Sequence, residues 1–143
     1  MRTTKVPLQL INLQNDGFHL LVEVVVFSKP FNVVLDTGAS KTVLDKTTVE
    51  NHITAGDLLS SDKLSTGLGT NSMESFILNL PSLHIGKLKL KDFEAAVLDL
   101  SSISVAYENL QLPPVIGVLG GDILQQYNAV IDYGNLQLTL RLF

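Results

Sequence analysis

The chain has 143 residues, a formal net charge of −4 and no cysteine. That length suits one domain, residues 1–143, with a core of its own; the missing cysteines exclude a disulfide framework, thiol catalysis and Cys-based zinc sites. Scattered basic residues in an acidic chain leave no electrostatic footprint for nucleic acid. Residues 1–10 lack the apolar run of a signal peptide, and no stretch approaches the roughly 18–20 apolar residues that span a bilayer. The expectation is a cytoplasmic protein with neither a membrane nor a nucleic acid as partner.

Strand signals dominate along the chain. Residues 22–27 and 31–35 are rich in β-branched and aromatic types, with Ser28-Lys29-Pro30 between them as a turn. Residues 42–44 make a short strand, and 47–61 read as loop with one helical turn. "STGLGTN", residues 65–71, has glycines at 67 and 69 and precedes the strand-like 74–80, so it reads as a hairpin tip. Two strands follow at 83–90 and 93–98, around Gly86 and Asp92. In the first, Lys87, Lys89 and Lys91 alternate with Leu88 and Leu90, which reads as a solvated face over a buried one. Residues 101–114 are expected to be loop, because Pro113-Pro114 forbid regular helix there. Residues 115–119 form a short buried strand ending at Gly120-Gly121. Asp122 is then placed as the N-cap of one short helix. Residues 129–132 and 136–143 close the chain as strands, the last with leucine at every second position. The fold class expected is all-β, with one short helix.

The stretch "FNVVLDTGASKTVLD", residues 31–45, carries the chemistry. An apolar strand delivers Asp36 to a poorly hydrated place, where an ionised carboxylate must be hydrogen-bonded. Gly38 lets backbone amides approach the acid, Thr37 offers a hydroxyl, Ala39 is small and Ser40 can brace the turn. By itself this is also how an ordinary Asx turn after a strand is built. His19, His52 and His84 are isolated from one another and read as strand or surface residues, with no metal site.

Three elements in this order resemble the aspartic peptidases of the retroviral (retropepsin-like) type. They are the Asp36-Thr37-Gly38-Ala39-Ser40 loop followed by Thr42-Val43-Leu44, the glycine-tipped hairpin, and "VLGGDIL" at 118–124. The closing segment 127–140 also resembles retrotransposon-like and bacterial relatives. The resemblance spans about residues 18–143. It implies a retropepsin-like fold with Asp36 as catalytic acid, Thr37, Gly38, Ala39 and Ser40 supporting it, and Thr66, Gly67, Leu68, Gly69 and Thr70 as a flap over substrate. Val118, Leu119, Gly120 and Asp122 would lie behind the site. No cofactor is required: two carboxylates share a proton and activate a water against a peptide carbonyl.

Only one Asp-Thr-Gly occurs, so the second acid must come from elsewhere. Asp132, in Val130-Ile131-Asp132-Tyr133-Gly134, echoes the first motif but leaves no room for a second lobe and reads as a turn residue; Asp99 reads as structural. The resemblance then implies a homodimer with Asp36 near the two-fold axis, and Thr37 bonding to the partner's loop. The strand at 136–143 either pairs with the partner's chain ends or lies inside its own protomer. Ala39 cannot donate to the acid, which points to activity at mild acidity or near neutrality. Ser40, Lys41 and Gly121 stand where retroviral enzymes often carry acids and an arginine, so that brace is missing. Peptide or protein substrate would lie extended between loop and flap, with Gly38 and Gly69 approached closely. Val34, Ile116, Val118 and Leu119 are either side pockets or plain core. The competing reading is a catalytically silent domain of the same fold that binds extended peptides or mediates dimerisation.

Overall fold

The computed structural model describes residues 2–14, 17–53, 57–60 and 75–143. Ten strands and three short helices make up this part. In chain order they are β1 (Thr3–Asn12), β2 (Phe18–Val26), β3 (Lys29–Leu35), β4 (Val43–Asp45), α1 (Lys46–Glu50), β5 (Leu59–Ser60), β6 (Phe76–Ile85) and β7 (Leu88–Leu98). Then come α2 (Ser101–Asn109), β8 (Gly117–Leu119), α3 (Gly121–Gln126), β9 (Val130–Asp132) and β10 (Gln137–Arg141).

The strands lie in the order β5-β6-β7-β4-β8-β3-β2-β1-β10-β9, and a further pairing of β6 with β2 closes six of them into a barrel. The closing contact is short, Val25 opposite His84 and Val26 opposite Leu83. Strand alternation fills the interior: Val22, Val24 and Val26 of β2 meet Leu78, Leu80 and Leu83 of β6 in one cluster. Each such side chain contributes about 1.5–3 kcal/mol on burial. The opposite faces of β2 and β3 are covered too, since Leu21 and Val34 pack with Ile11, Val115 and Tyr107 of α2 in a second cluster. This is why β2 reads as a nearly unbroken apolar run rather than an alternating one.

Several sequence expectations shift. Residues 101–109 are helical, not loop. The prolines at 113 and 114 fall beyond the helix end, and Ile103, Tyr107 and Leu110 share the face that meets the second cluster. Among the described residues there are therefore three helices rather than one. The first hairpin turns at Phe27 and Ser28, both with positive φ (55° and 61°), so Lys29 and Pro30 are strand residues opposite Val26 and Val25. Stacking of the Phe27 ring on His52 at 5.0 Å accompanies that conformation, which non-glycine residues seldom adopt. Residues 76–85 form one strand, and β7 runs unbroken through Asp92. Pro81 has no amide hydrogen for that ladder, and pairing resumes on either side of it, Ser82 with Lys91 and Leu80 with Phe93.

Strand β1 was absent from the sequence reading, although Thr4, Val6 and Leu8 alternate inward. It pairs with β10 through residues 3–7 and with β2 through residues 8–12. Strand β10 consequently lies inside its own protomer. Gln137, Leu138 and Thr139 have β1 on one side and β9 on the other. Among the described residues, no helix is long and apolar enough to cross a membrane.

Candidate active site

Asp36 follows the last residue of β3, and the strand beside β3 is not β4 but β8. β8 runs parallel to β3, with Val34 opposite Val118 and Leu35 opposite Leu119, and antiparallel to β4, with Val43 opposite Val118. The chain from Asp36 to Thr42 must therefore straddle the end of β8. That crossing needs glycine. A Cβ on Gly120 would lie 2.5 Å from the Lys41 carbonyl oxygen and 2.9 Å from that of Ala39. A Cβ on Gly117 would collide with the Val43 carbonyl. The Leu119-Gly120-Gly121 turn can pass under the loop only because it carries no side chain at the contact.

The loop is fastened at each step. The Asp36 amide donates to the Leu119 carbonyl at 3.0 Å, and the Gly121 amide donates to the Ala39 carbonyl at 2.7 Å. At the far end, Thr42 is 3% exposed. Its amide donates to Asp122 Oδ2 at 2.9 Å, and its hydroxyl donates to Asp122 Oδ1 at 2.8 Å. The same hydroxyl accepts the Gly120 amide at 3.1 Å. Asp122 thus lies in the first turn of α3, behind Gly120 as N-cap, and not at the cap as expected. Its carboxylate faces the loop. In place of an acid–arginine brace, the acid stands on the helix and the donors on the loop. In the sequence Thr42 reads only as the start of a strand. A hydroxyl residue six positions after the acid, with Asp following Gly-Gly, was the available signal.

At the head of the loop, Gly38 N–H donates to Asp36 Oδ1 at 2.9 Å. Oδ2 takes no hydrogen bond from the described residues, and Asp36 is half-buried while Thr37, Gly38 and Ser40 are exposed. The loop offers a held carboxylate with one oxygen open. The rival acids have structural duties. Asp132 accepts from the Asn135 amide and from its side chain, at 3.0 and 2.9 Å; these bonds hold its pKa below the ordinary 3.8. Asp99 accepts from the Ser101 amide at the start of α2, and the Ser101 contacts lower its pKa likewise. Asp45 caps α1 through Thr48 and receives the Leu100 amide. Among the described residues no group of three or more His, Asp or Glu side chains could hold a metal.

A family model described as aspartyl protease matches residues 22–123, which include the Asp36 loop and the Gly120 crossing. The chain belongs to the aspartyl protease family. No curated protein matches it. Solved structures share its fold, three of them as follows. A retropepsin-like aspartic protease from Rickettsia conorii is 21% identical with a TM-score of 0.57, covering 98% of this chain and 94% of its own. The retroviral protease-like domain of Ddi1 from Leishmania major is 15% identical with a TM-score of 0.63, over 87% of this chain and 90% of that one. The EIAV protease, solved with the inhibitor HBY-793, is 24% identical with a TM-score of 0.54, over 78% and 90%.

Within this retropepsin-like protease fold, the expected side pockets are mostly interior. Val34, Ile116 and Leu119 are 6%, 7% and 1% exposed, and Val118 packs against the second cluster. The flap residues Thr66, Gly67, Leu68, Gly69 and Thr70 lie outside the described residues. Tyr107 of α2, buried in the second cluster, shares a hydrogen bond with His19 Nδ1 at 2.6 Å; burial pushes its phenol pKa up to about 12.

Proposed function

We propose that the protein is an aspartic endopeptidase that works as a homodimer, each protomer lending Asp36 to one shared, water-holding centre. The observation that carries the reading is the fastened loop. Asp36 leaves a buried strand, takes the Gly38 amide on one oxygen and, among the described residues, keeps the other open. Two such carboxylates facing each other would share a proton, because like charges about 3 Å apart cannot both ionise cheaply. The ionised member would take a proton from the trapped water as it attacks the peptide carbonyl. The protonated member would donate to the oxyanion, and protons would then pass to the leaving nitrogen. No covalent intermediate is needed.

Thr37, Gly38 and Ser40 are exposed in the loop and available to a second copy. Because β10 is already flanked by β1 and β9 over residues 137–139, this reading places the dimer contact at the loops rather than in an exchange of that strand. A substrate would bind as an extended chain through main-chain hydrogen bonds. The test is incubation with a mixed peptide library from about pH 3 to pH 7, beside Asp36→Asn. Cleavages that vanish in the variant support the enzyme. Their absence in the parent protein at every concentration leaves a peptide-binding domain of the same fold. A monomer that cleaves would end the shared-centre reading.

A further inference from the structure

A second cleft lies away from the Asp36 loop, where β10 and α3 meet the β6–β7 turn, and it measures about 530 Å³. Arg2, Lys87 and Lys89 stand on its walls, Tyr127, Leu142 and Phe143 offer apolar surface, and no Asp or Glu side chain of the described residues lines it. The Arg141 guanidinium sits 5.3 Å above the Phe143 ring and extends the positive rim. Tyr127 and Phe143 lie side by side, with centroids 6.2 Å apart. In a chain of net charge −4, such a cluster is a local reversal of sign. Like charges gathered this closely repel one another, and an anionic ligand would relieve that repulsion.

The spacing selects the ligand. Lys87, in the β6–β7 turn, and Lys89, on β7, are exposed while Leu88 between them is buried, and Lys91, beyond the cleft lining, continues the same face of β7, so the row runs along the strand direction, where two residues span about 6.7 Å. The lysines do not converge on a point, as a single phosphate would require. An extended polypeptide presents alternate side chains on one face with the same repeat. Carboxylates at every second position would meet the lysine row, Arg2 can take one in a paired hydrogen bond, and an apolar neighbour would rest on Tyr127 and Phe143.

We infer that this cleft is an accessory docking site for acidic, extended segments of the polypeptides the protease cleaves. Its effect on cleavage rests on the endopeptidase reading; binding itself does not. None of the Asp36 loop residues lines the cleft, so docking and chemistry are separable by experiment.

The test uses the full chain carrying Asp36→Asn and a fluorescent peptide with glutamate at alternate positions, followed by anisotropy at low salt. Binding is expected to weaken by roughly tenfold or more when Lys87 and Lys89 are both changed to Glu, and to fall with added salt. A glutamine version of the peptide should not bind. Equal binding of the glutamine peptide, an unchanged affinity in the double variant, or equal affinity for a single-stranded oligonucleotide of matched charge would each overturn the assignment. In the active protein, Lys87→Glu/Lys89→Glu should raise KM for a substrate with an acidic flank and leave kcat unchanged. A short neutral substrate should be cleaved as before. Binding without any cleavage would remove the endopeptidase reading and leave the docking site standing; cleavage with no flank dependence would do the reverse.

Discussion

Replacing Asp122 with alanine removes the acceptor for two donors of Thr42, the amide at 2.9 Å and the hydroxyl at 2.8 Å. Hydrogen bonds to a charged group contribute about 1.5–3 kcal/mol each, and a buried donor left without a partner bears its desolvation cost. Thr42 is buried, but Asp122 is half-buried, so water can replace part of what is lost. The lower end applies to each bond, and Asp122→Ala is expected to destabilise the fold by about 3 kcal/mol. For a chain of this size that is a fall in Tm of roughly 10 °C. Asp122→Asn keeps one acceptor but turns an amide donor toward Thr42, and should cost about half as much. Thr42→Val should cost about 1–2 kcal/mol by stranding the Gly120 amide. In the double variant the losses should fall short of their sum by about 1 kcal/mol or more, because the two residues share bonds. Urea unfolding of the four proteins measures this directly. Peptide cleavage by Asp122→Ala should drop by about 10²-fold, since a displaced loop misplaces the acid. A stability change within about 0.5 kcal/mol for Asp122→Ala would refute the reasoning, because the latch would then carry no weight.

Asp36→Asn preserves the acceptor for the Gly38 amide, so unfolding should stay within about 0.5 kcal/mol of the parent while cleavage falls by at least ~10³-fold. Gly120→Ala places a methyl against two carbonyl groups of the loop and should destabilise by about 2–3 kcal/mol, measured by thermal unfolding. Asp132 has a folded pKa below 3.8, so its contribution is fully present above that value and is lost as pH falls through the folded one. Asp132→Ala should therefore lower stability near neutral pH and make no difference in strong acid, as acid titration of both proteins will show. For Tyr107, raised from 10.0 to about 12, the neutral phenol is favoured by folding. Stability should decline between pH 10 and 12 in the parent but not by this route in Tyr107→Phe, followed by phenolate absorbance.

The acid loop and the crossing segment were legible because both depend on chemistry that few residues supply. Asp36 at the end of an apolar strand needs Gly38 to bring an amide to it, and Gly120 has no substitute where Lys41 and Ala39 pass overhead. The leucines of β10 were legible for a different reason, since alternation with a buried face leaves little freedom of register. Helix α2 was not. Its apolar residues Ile103, Tyr107 and Leu110 are interleaved with serines, and the prolines that follow dominate any local reading. Only the second cluster beneath it makes the helical face worthwhile. Strand β1 was hidden by Pro7, which sits opposite Gln137 at the point where the strand changes partner from β10 to β2. The direction of the Asp122 carboxylate was hidden as well, because a cap and a cross-brace draw on the same residue type. Which of them forms depends on Thr42, 80 residues away.

That separation governs the order in which the molecule can be made. Asp36 and Thr42 emerge early in synthesis, yet the β8 floor and the latch lie far downstream, Asp122 being 80 residues after Thr42. Contacts so remote in sequence form late, after the loop-closure entropy between them has been met. A growing chain that has not reached Asp122 holds an acid on an unsupported turn. On the endopeptidase reading, hydrolytic competence would thus be withheld from nascent and interrupted products by topology alone.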